Sequence, residues 1–242
     1  MTLRYASTGR LVTGKVRKHN EDAILIRDDV GLWVVADGMG GHSAGDYASG
    51  LLVDRLGLVQ RNGNVFDFIE AIEDAVVQVN TDLLCTAAER GVDVIGTTLV
   101  LLVHSADFML CGWVGDSRGY CYEQGCLNLI TEDHVHGGIK QDITQFGGGA
   151  SVQPAPGAGV LTRAIGAEHD LFIDWVVAGC RPGMRFLLCS DGINKEMSDD
   201  EIEAEFKRLQ EPEALADKLI EIGMERRGRD NMAAVIVQLY NE

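Results

Sequence analysis

Apolar positions run through this chain in two rhythms. Leu32-Trp33-Val34-Val35-Ala36 is a nearly continuous apolar run of strand length, and segments 97–103, 108–114 and 118–122 repeat that character with short turns between them. Consecutive strands joined so tightly favour antiparallel pairing. A different period governs Val65, Phe68, Ile69, Ile72, Val76, Val79 and Leu83, which share one face of a helix while Asp67, Glu70, Glu73 and Asp74 occupy the other. Strands are predicted again over 171–177, 185–190 and 232–240. Between the last two lie a pair of helices, one opened by the capping box Ser198–Glu201 and the next by Pro212. Strand runs with helices inserted early and late predict an α+β sandwich in which helices cover sheets.

At 242 residues with 46% hydrophobic content, the chain can bury one substantial core, and no linker or repeat divides it. A single domain over 1–242 is expected. Segment 134–160 is rich in glycine, with Pro154 and Pro156, and is predicted to be a surface flap. No apolar stretch approaches a membrane span or a signal peptide, and the scattered cysteines include no C-x-x-C pair, so a soluble, cytoplasmic protein with reduced thiols is expected. The formal charge of −16 disfavours a nucleic-acid partner.

The candidate chemistry is carried by aspartates. Asp37-Gly38 and Asp191-Gly192 each close an apolar strand, Asp230 precedes the final strand, and Asp22 ends the segment Arg17-Lys18-His19-Asn20-Glu21-Asp22. Carboxylates brought together repel one another unless a cation sits between them. Their hard oxygens suit Mg²⁺ or Mn²⁺ better than zinc. Two such ions about 3.5–4 Å apart can ionise a water and clamp a phosphoryl group, which points to a phosphoester hydrolase. Arg17 is the candidate phosphate clamp, with a salt bridge to Glu21 or Asp22 as the competing reading. His42 is a candidate general acid or substrate contact, with a helix start as its plain alternative.

Other phosphate chemistries fit poorly. Gly9 to Lys15 nearly spells a P-loop, but Val16 stands where a hydroxyl residue must hold Mg²⁺. A cysteine-dependent phosphatase needs an arginine six residues after its nucleophile. The six cysteines have Gly91, Ser117, Leu127, Glu132, Phe186 and Lys195 there.

Several segments together spell a family pattern: Arg17 through Asn20-Glu21-Asp22-Ala23, Val35-Ala36-Asp37-Gly38-Met39-Gly40-Gly41-His42, Gly96-Thr97-Thr98, Gly115-Asp116-Ser117-Arg118, Thr131-Glu132-Asp133-His134, Leu161-Thr162-Arg163-Ala164-Ile165-Gly166, Ser190-Asp191-Gly192 and Arg229-Asp230-Asn231. In order and over about residues 11–237, the chain resembles the PP2C-type metal-dependent protein Ser/Thr phosphatases in their compact bacterial form. The resemblance implies two antiparallel sheets flanked by helices, with two Mn²⁺ or Mg²⁺ ions in a cleft at one edge. Asp37 would bridge the ions, Gly38 would lend its carbonyl, Asp191 and Asp230 would hold the first ion, and Asp22, with Glu21, would act on the second. Asp116 would serve a third, weaker ion. The implied activity is removal of phosphate from Ser or Thr of phosphorylated proteins by a metal-activated water, opposing a bacterial Ser/Thr kinase, with a link to secretion. A non-catalytic signalling relative and a phosphatase for an anti-sigma antagonist are the alternatives.

Overall fold

The computed structural model describes residues 3–40, 44–136 and 160–241. The strands are β1 (Leu3–Val12), β2 (Asp22–Arg27), β3 (Leu32–Gly40), β4 (Ile95–Thr97), β5 (Leu99–His104), β6 (Met109–Val114), β7 (Arg118–Glu123), β8 (Cys126–Leu129), β9 (Asp174–Ala178), β10 (Arg185–Cys189) and β11 (Met232–Asn241). The helices are α1 (Ala44–Gly57), α2 (Val65–Arg90), α3 (Asp191–Asn194), α4 (Asp199–Arg208) and α5 (Pro212–Glu225).

The strands form two antiparallel sheets, one ordered β1-β11-β10-β7-β8 and the other β2-β3-β5-β6-β9, with β4 pairing the end of β3. Side chains alternate between the two faces of each strand. In β3, Trp33 and Val35 point between the sheets, while Leu32, Val34 and Ala36 point under α1 and α2. In β10, Phe186 and Leu188 face the other sheet, and Leu187 and Cys189 face α4 and α5. Both faces are covered, which is why these strands read as unbroken apolar runs instead of alternating ones. The layers are therefore helix, sheet, sheet, helix, as expected from the sequence.

Local signals place the helices. Asn64 caps α2, accepting from the backbone N–H groups of Phe66 and Asp67, and Gly91 closes it in the left-handed conformation with φ 63°. Ser198 and Glu201 form the predicted box at α4.

The structure differs from the expectation in several places. β1 and β2 are strands absent from the expectation: polar residues interrupt β1, whereas the short apolar run Ala23-Ile24-Leu25-Ile26 does mark β2. β3 continues past its apolar run through Gly40, because β4 pairs alongside it. The predicted strand at 97–103 is broken at Thr98 into β4 and β5, and the one at 171–177 is shortened to Asp174–Ala178. A third helix, α3, begins at Asp191 itself. The predicted flap falls almost wholly outside the described residues, as does His42.

Candidate active site at the sheet edge

The antiparallel register of β2 and β3 sets Asp22 directly opposite Asp37. Asp37 is fixed at its backbone: its N–H donates to Thr98 Oγ1 at 3.0 Å, and its carbonyl accepts from the Thr98 N–H at 2.8 Å. The next residue has to be glycine, because a Cβ on Gly38 would lie 1.9 Å from the Gly45 carbonyl oxygen. The other sheet supplies the remaining acids. Asp191 opens α3 directly after β10, and Asp230 stands two residues before β11.

Asp116 follows the bend at Gly115, where φ is +105° and a Cβ would strike Thr98. His134 ties that bend down. Its Nδ1 accepts from the Gly115 N–H at 3.0 Å, and its own N–H donates to the Gly115 carbonyl at 2.9 Å. With Nδ1 accepting, Nε2 carries the proton and donates to Asp174 at 3.0 Å. The ring also stacks on Trp113, so His134 is a largely enclosed strut and not the surface residue expected at the start of a flap.

These acids ring one cavity of about 770 Å³, walled by Arg17, Glu21, Asp37, Gly38, Asp116, Asp191 and Asp230 and, on its apolar side, by Met39, Val94 and Val160. Asp22 lies beneath the wall, 5% exposed, where it accepts from Ser190 Oγ at 2.7 Å. Glu21, its neighbour, reaches the cavity instead.

Burial and mutual repulsion shift the carboxyls together. Burial, reinforced by Asp191, pushes Asp22 up to about 7 despite the Ser190 hydrogen bond. Burial and the neighbouring Asp22, Asp191, Asp116 and Asp230 hold Asp37 well above the ordinary carboxylate range. Burial takes Asp116 up to about 6 and raises Asp191 against the pull of Lys195. Asp22 Oδ1 and Asp191 Oδ1 are buried without a hydrogen-bond partner. Buried carboxyl oxygens of this kind call for a cation.

Two basic side chains meet part of that need. Arg17 Nη2 lies 2.8 Å from Asp230 Oδ1, and Nη1 lies 3.6 Å from Glu21. Lys195, one turn beyond Asp191, pairs with it and stands 3.8 Å from Asp230. Among the described residues, no three His, Cys, Asp or Glu side chains form a ready-made chelate. The acids stand around the cavity with these cations drawn in between. Hard oxygen donors, orphaned and protonation-prone, nevertheless fit divalent ions of the Mg²⁺ or Mn²⁺ type.

Sequence reasoning gave no role to Lys195, Ser190 or Asn231, although Ser190 and Asn231 stand within the family pattern. Asn231 joins the site's loops, accepting from the Glu21 N–H at 2.8 Å and donating to the carbonyls of Thr13 and His19 at 2.8 and 3.0 Å. Lys195 has a sequence signal in its i, i+4 spacing from Asp191, but that spacing has meaning only once α3 is known to be helical.

Known proteins place this architecture. A family model described as Protein phosphatase 2C matches residues 14–238. The serine/threonine phosphatase stp of Listeria monocytogenes is 32% identical, over 93% of this chain and 92% of its own. PstP of Mycobacterium tuberculosis is 31% identical over 100% of this chain and 46% of its own. Among solved structures, PppA, described as a key regulatory component of T6SS in Pseudomonas aeruginosa, superposes with a TM-score of 0.87 at 38% identity over 98% of both chains. The PstP catalytic domain in complex with two manganese ions gives 0.82 at 28% identity, covering 99% of this chain and 100% of that one. The chain belongs to the protein phosphatase 2C family.

Proposed function

We propose that the cavity at the sheet edge is the catalytic site of this chain, which is a metal-dependent protein serine/threonine phosphatase. The observation that carries the reading is the convergence of Asp37 from one sheet with Asp191 and Asp230 from the other on a cavity with Arg17 at its wall. Asp37, Asp191 and Asp230 would hold the ions, with the Gly38 carbonyl beside Asp37, Glu21 at the wall, and Asp116 as the ligand of a third ion. Asp22, opposite Asp37 and beneath the wall, would act on the second ion. When bound, such ions supply Lewis-acid charge and lower the pKa of water to near neutrality.

The chain's own residues do the rest. Arg17 offers a planar fork of donors suited to phosphate oxygens, and its present partners Asp230 and Glu21 keep that fork at the wall. Thr98 and the close packing at Gly38 hold the Asp37 main chain in place, which fixes the point from which its carboxylate projects. His42 remains the candidate for protonating the leaving oxygen.

The substrates are phosphorylated proteins. The similarity to PppA and PstP supports a place opposite a Ser/Thr kinase, in a process linked to secretion. Among the described residues no helix is long and apolar enough to cross a membrane. Action in the cytoplasm by a single catalytic domain belongs to the same reading.

Hydrolysis of p-nitrophenyl phosphate by metal-stripped protein, with and without Mn²⁺ and beside an Asp191→Asn variant, tests the reading. Turnover should require metal and disappear in the variant. Metal binding without turnover would indicate a non-catalytic relative.

A further inference from the structure

In a chain with 37 acidic and 21 basic residues, a basic side chain left without a partner is the exception. Over most of the surface the cations are matched, as in Arg10 with Asp217, Lys207 with Glu203 and Lys218 with Glu221. Among the described residues, the side chains of Lys15, Lys18, Arg227 and Arg229 make no hydrogen bond, ion pair or ring contact. All four belong to two neighbouring loops.

Those loops are locked together. The Lys15 N–H donates to the Gly228 carbonyl at 2.8 Å, and the Asn231 amide holds Thr13 and His19. Below them a recess of about 280 Å³ is lined by Lys195, Arg227 and Arg229 with Gly192, Glu196 and Asp230. Lys195 and Asp230 also wall the catalytic cavity, so the recess adjoins it across these two side chains. The acid among the recess residues that lies outside the site, Glu196, already accepts from the Arg227 backbone N–H at 3.3 Å. Like charges held side by side repel, and an acidic protein has surplus carboxylates that could have neutralised them. Their remaining unmatched beside a phosphate-handling cavity marks a place for an anion brought from outside.

We propose that this basic rim binds an acidic or second phosphorylated stretch of the protein substrate, next to the phosphoresidue being hydrolysed. The proposal rests on the phosphatase reading and names the substrate class for the same site. Guanidinium groups at 227 and 229 suit carboxylate or phosphate oxygens, and the lysines add point charge. Exposed charges of this kind act chiefly on encounter and on KM, and they are weakened by salt.

The test uses the full chain with Mn²⁺ and phosphothreonine peptides identical except for flanks of alanine, glutamate or a second phosphothreonine. The acidic and doubly phosphorylated peptides should be favoured about tenfold in kcat/KM at low salt, through KM, with the preference fading at high salt. In a Lys18→Gln/Arg227→Gln/Arg229→Gln variant the ratio of acidic to alanine peptide should fall to near one. That ratio does not depend on how much variant is folded. Equal turnover of all flanks by the wild-type chain, or a preference that survives in the variant, would overturn the proposal. Failure to hydrolyse even p-nitrophenyl phosphate would defeat the phosphatase reading instead. Anisotropy of a labelled acidic peptide would then decide the rim separately: binding lost in the variant upholds it, and no binding ends it. Binding of anionic phosphatidylserine vesicles that is lost in the variant, without any flank preference, would reassign the rim to a lipid surface and also overturn the proposal.

Discussion

Asp22 is a carboxyl that the protein buries and then steadies with one hydroxyl. Its folded pKa of about 7 lies above the ordinary 3.8, so in metal-free protein the native state holds a proton over this range that the unfolded state has released. The associated stability is full below 3.8 and is lost as pH rises through about 7. Asp22→Asn should therefore stabilise the metal-free protein near about pH 8 and lose that advantage near about pH 5. Thermal melts in EDTA read this, and an advantage that grows toward acid would refute it. Ser190 opposes the upward shift, donating to Asp22 and accepting from the Ala233 N–H at 2.9 Å. Ser190→Ala should weaken Mn²⁺ binding about 10–100-fold, as loss of support behind a ligand commonly does. Calorimetric titration at fixed pH measures it, and unchanged affinity would place Asp22 outside the metal's reach. At this scale the aspartates were legible because each closes or precedes an apolar run. Ser190, Lys195 and Asn231 were not, since their roles depend on partners 168, 4 and 210 residues away in sequence.

Helix α2 does more than cover a sheet. Midway along it the buried Asn80 accepts from the Gly166 N–H at 2.6 Å and donates to the Glu168 carbonyl at 2.9 Å, anchoring the segment that returns the chain to the cavity wall. Asn80→Ala would leave that N–H buried without a partner, and should cost about 1–3 kcal/mol in urea unfolding. A neutral result would show that water replaces the amide. The period of α2 was plain in the sequence because one of its faces is wet. β3, β10 and β11 were plain because they are apolar on both faces. β1 was hidden because it is only partly buried: Arg4, Ser7, Thr8 and Arg10 interrupt it, and its place depends on pairing with β11 along its whole length, while the apolar run Ala23-Ile24-Leu25-Ile26 of β2 was legible but short. α3 escaped because its four residues are too few to show a period.

For the molecule as a whole, the apolar layer between the sheets determines whether the two halves of the site meet. Phe186 and Trp33, from opposite sheets, are both fully buried in it. Phe186→Ala should cost about 3–5 kcal/mol, and tryptophan fluorescence and circular dichroism should still report one transition. Two separated transitions would mean that the sheets unfold independently, contrary to the single domain expected from the sequence. The pairing of β1 with β11, from Leu3↔Asn241 to Val12↔Met232, also sets an order of events in the growing chain. Residues 3–12 are made well before residues 232–241, and they have no strand of their own to pair with until those later residues leave the ribosome. Asp230 arrives only just before that partner. A truncated or still-tethered product can hold Asp22, Asp37 and Asp191 but cannot complete the cluster. Phosphatase activity should thus appear only after residues 230–241 have emerged and paired, sparing phosphoproteins near the ribosome from copies that have not reached that point.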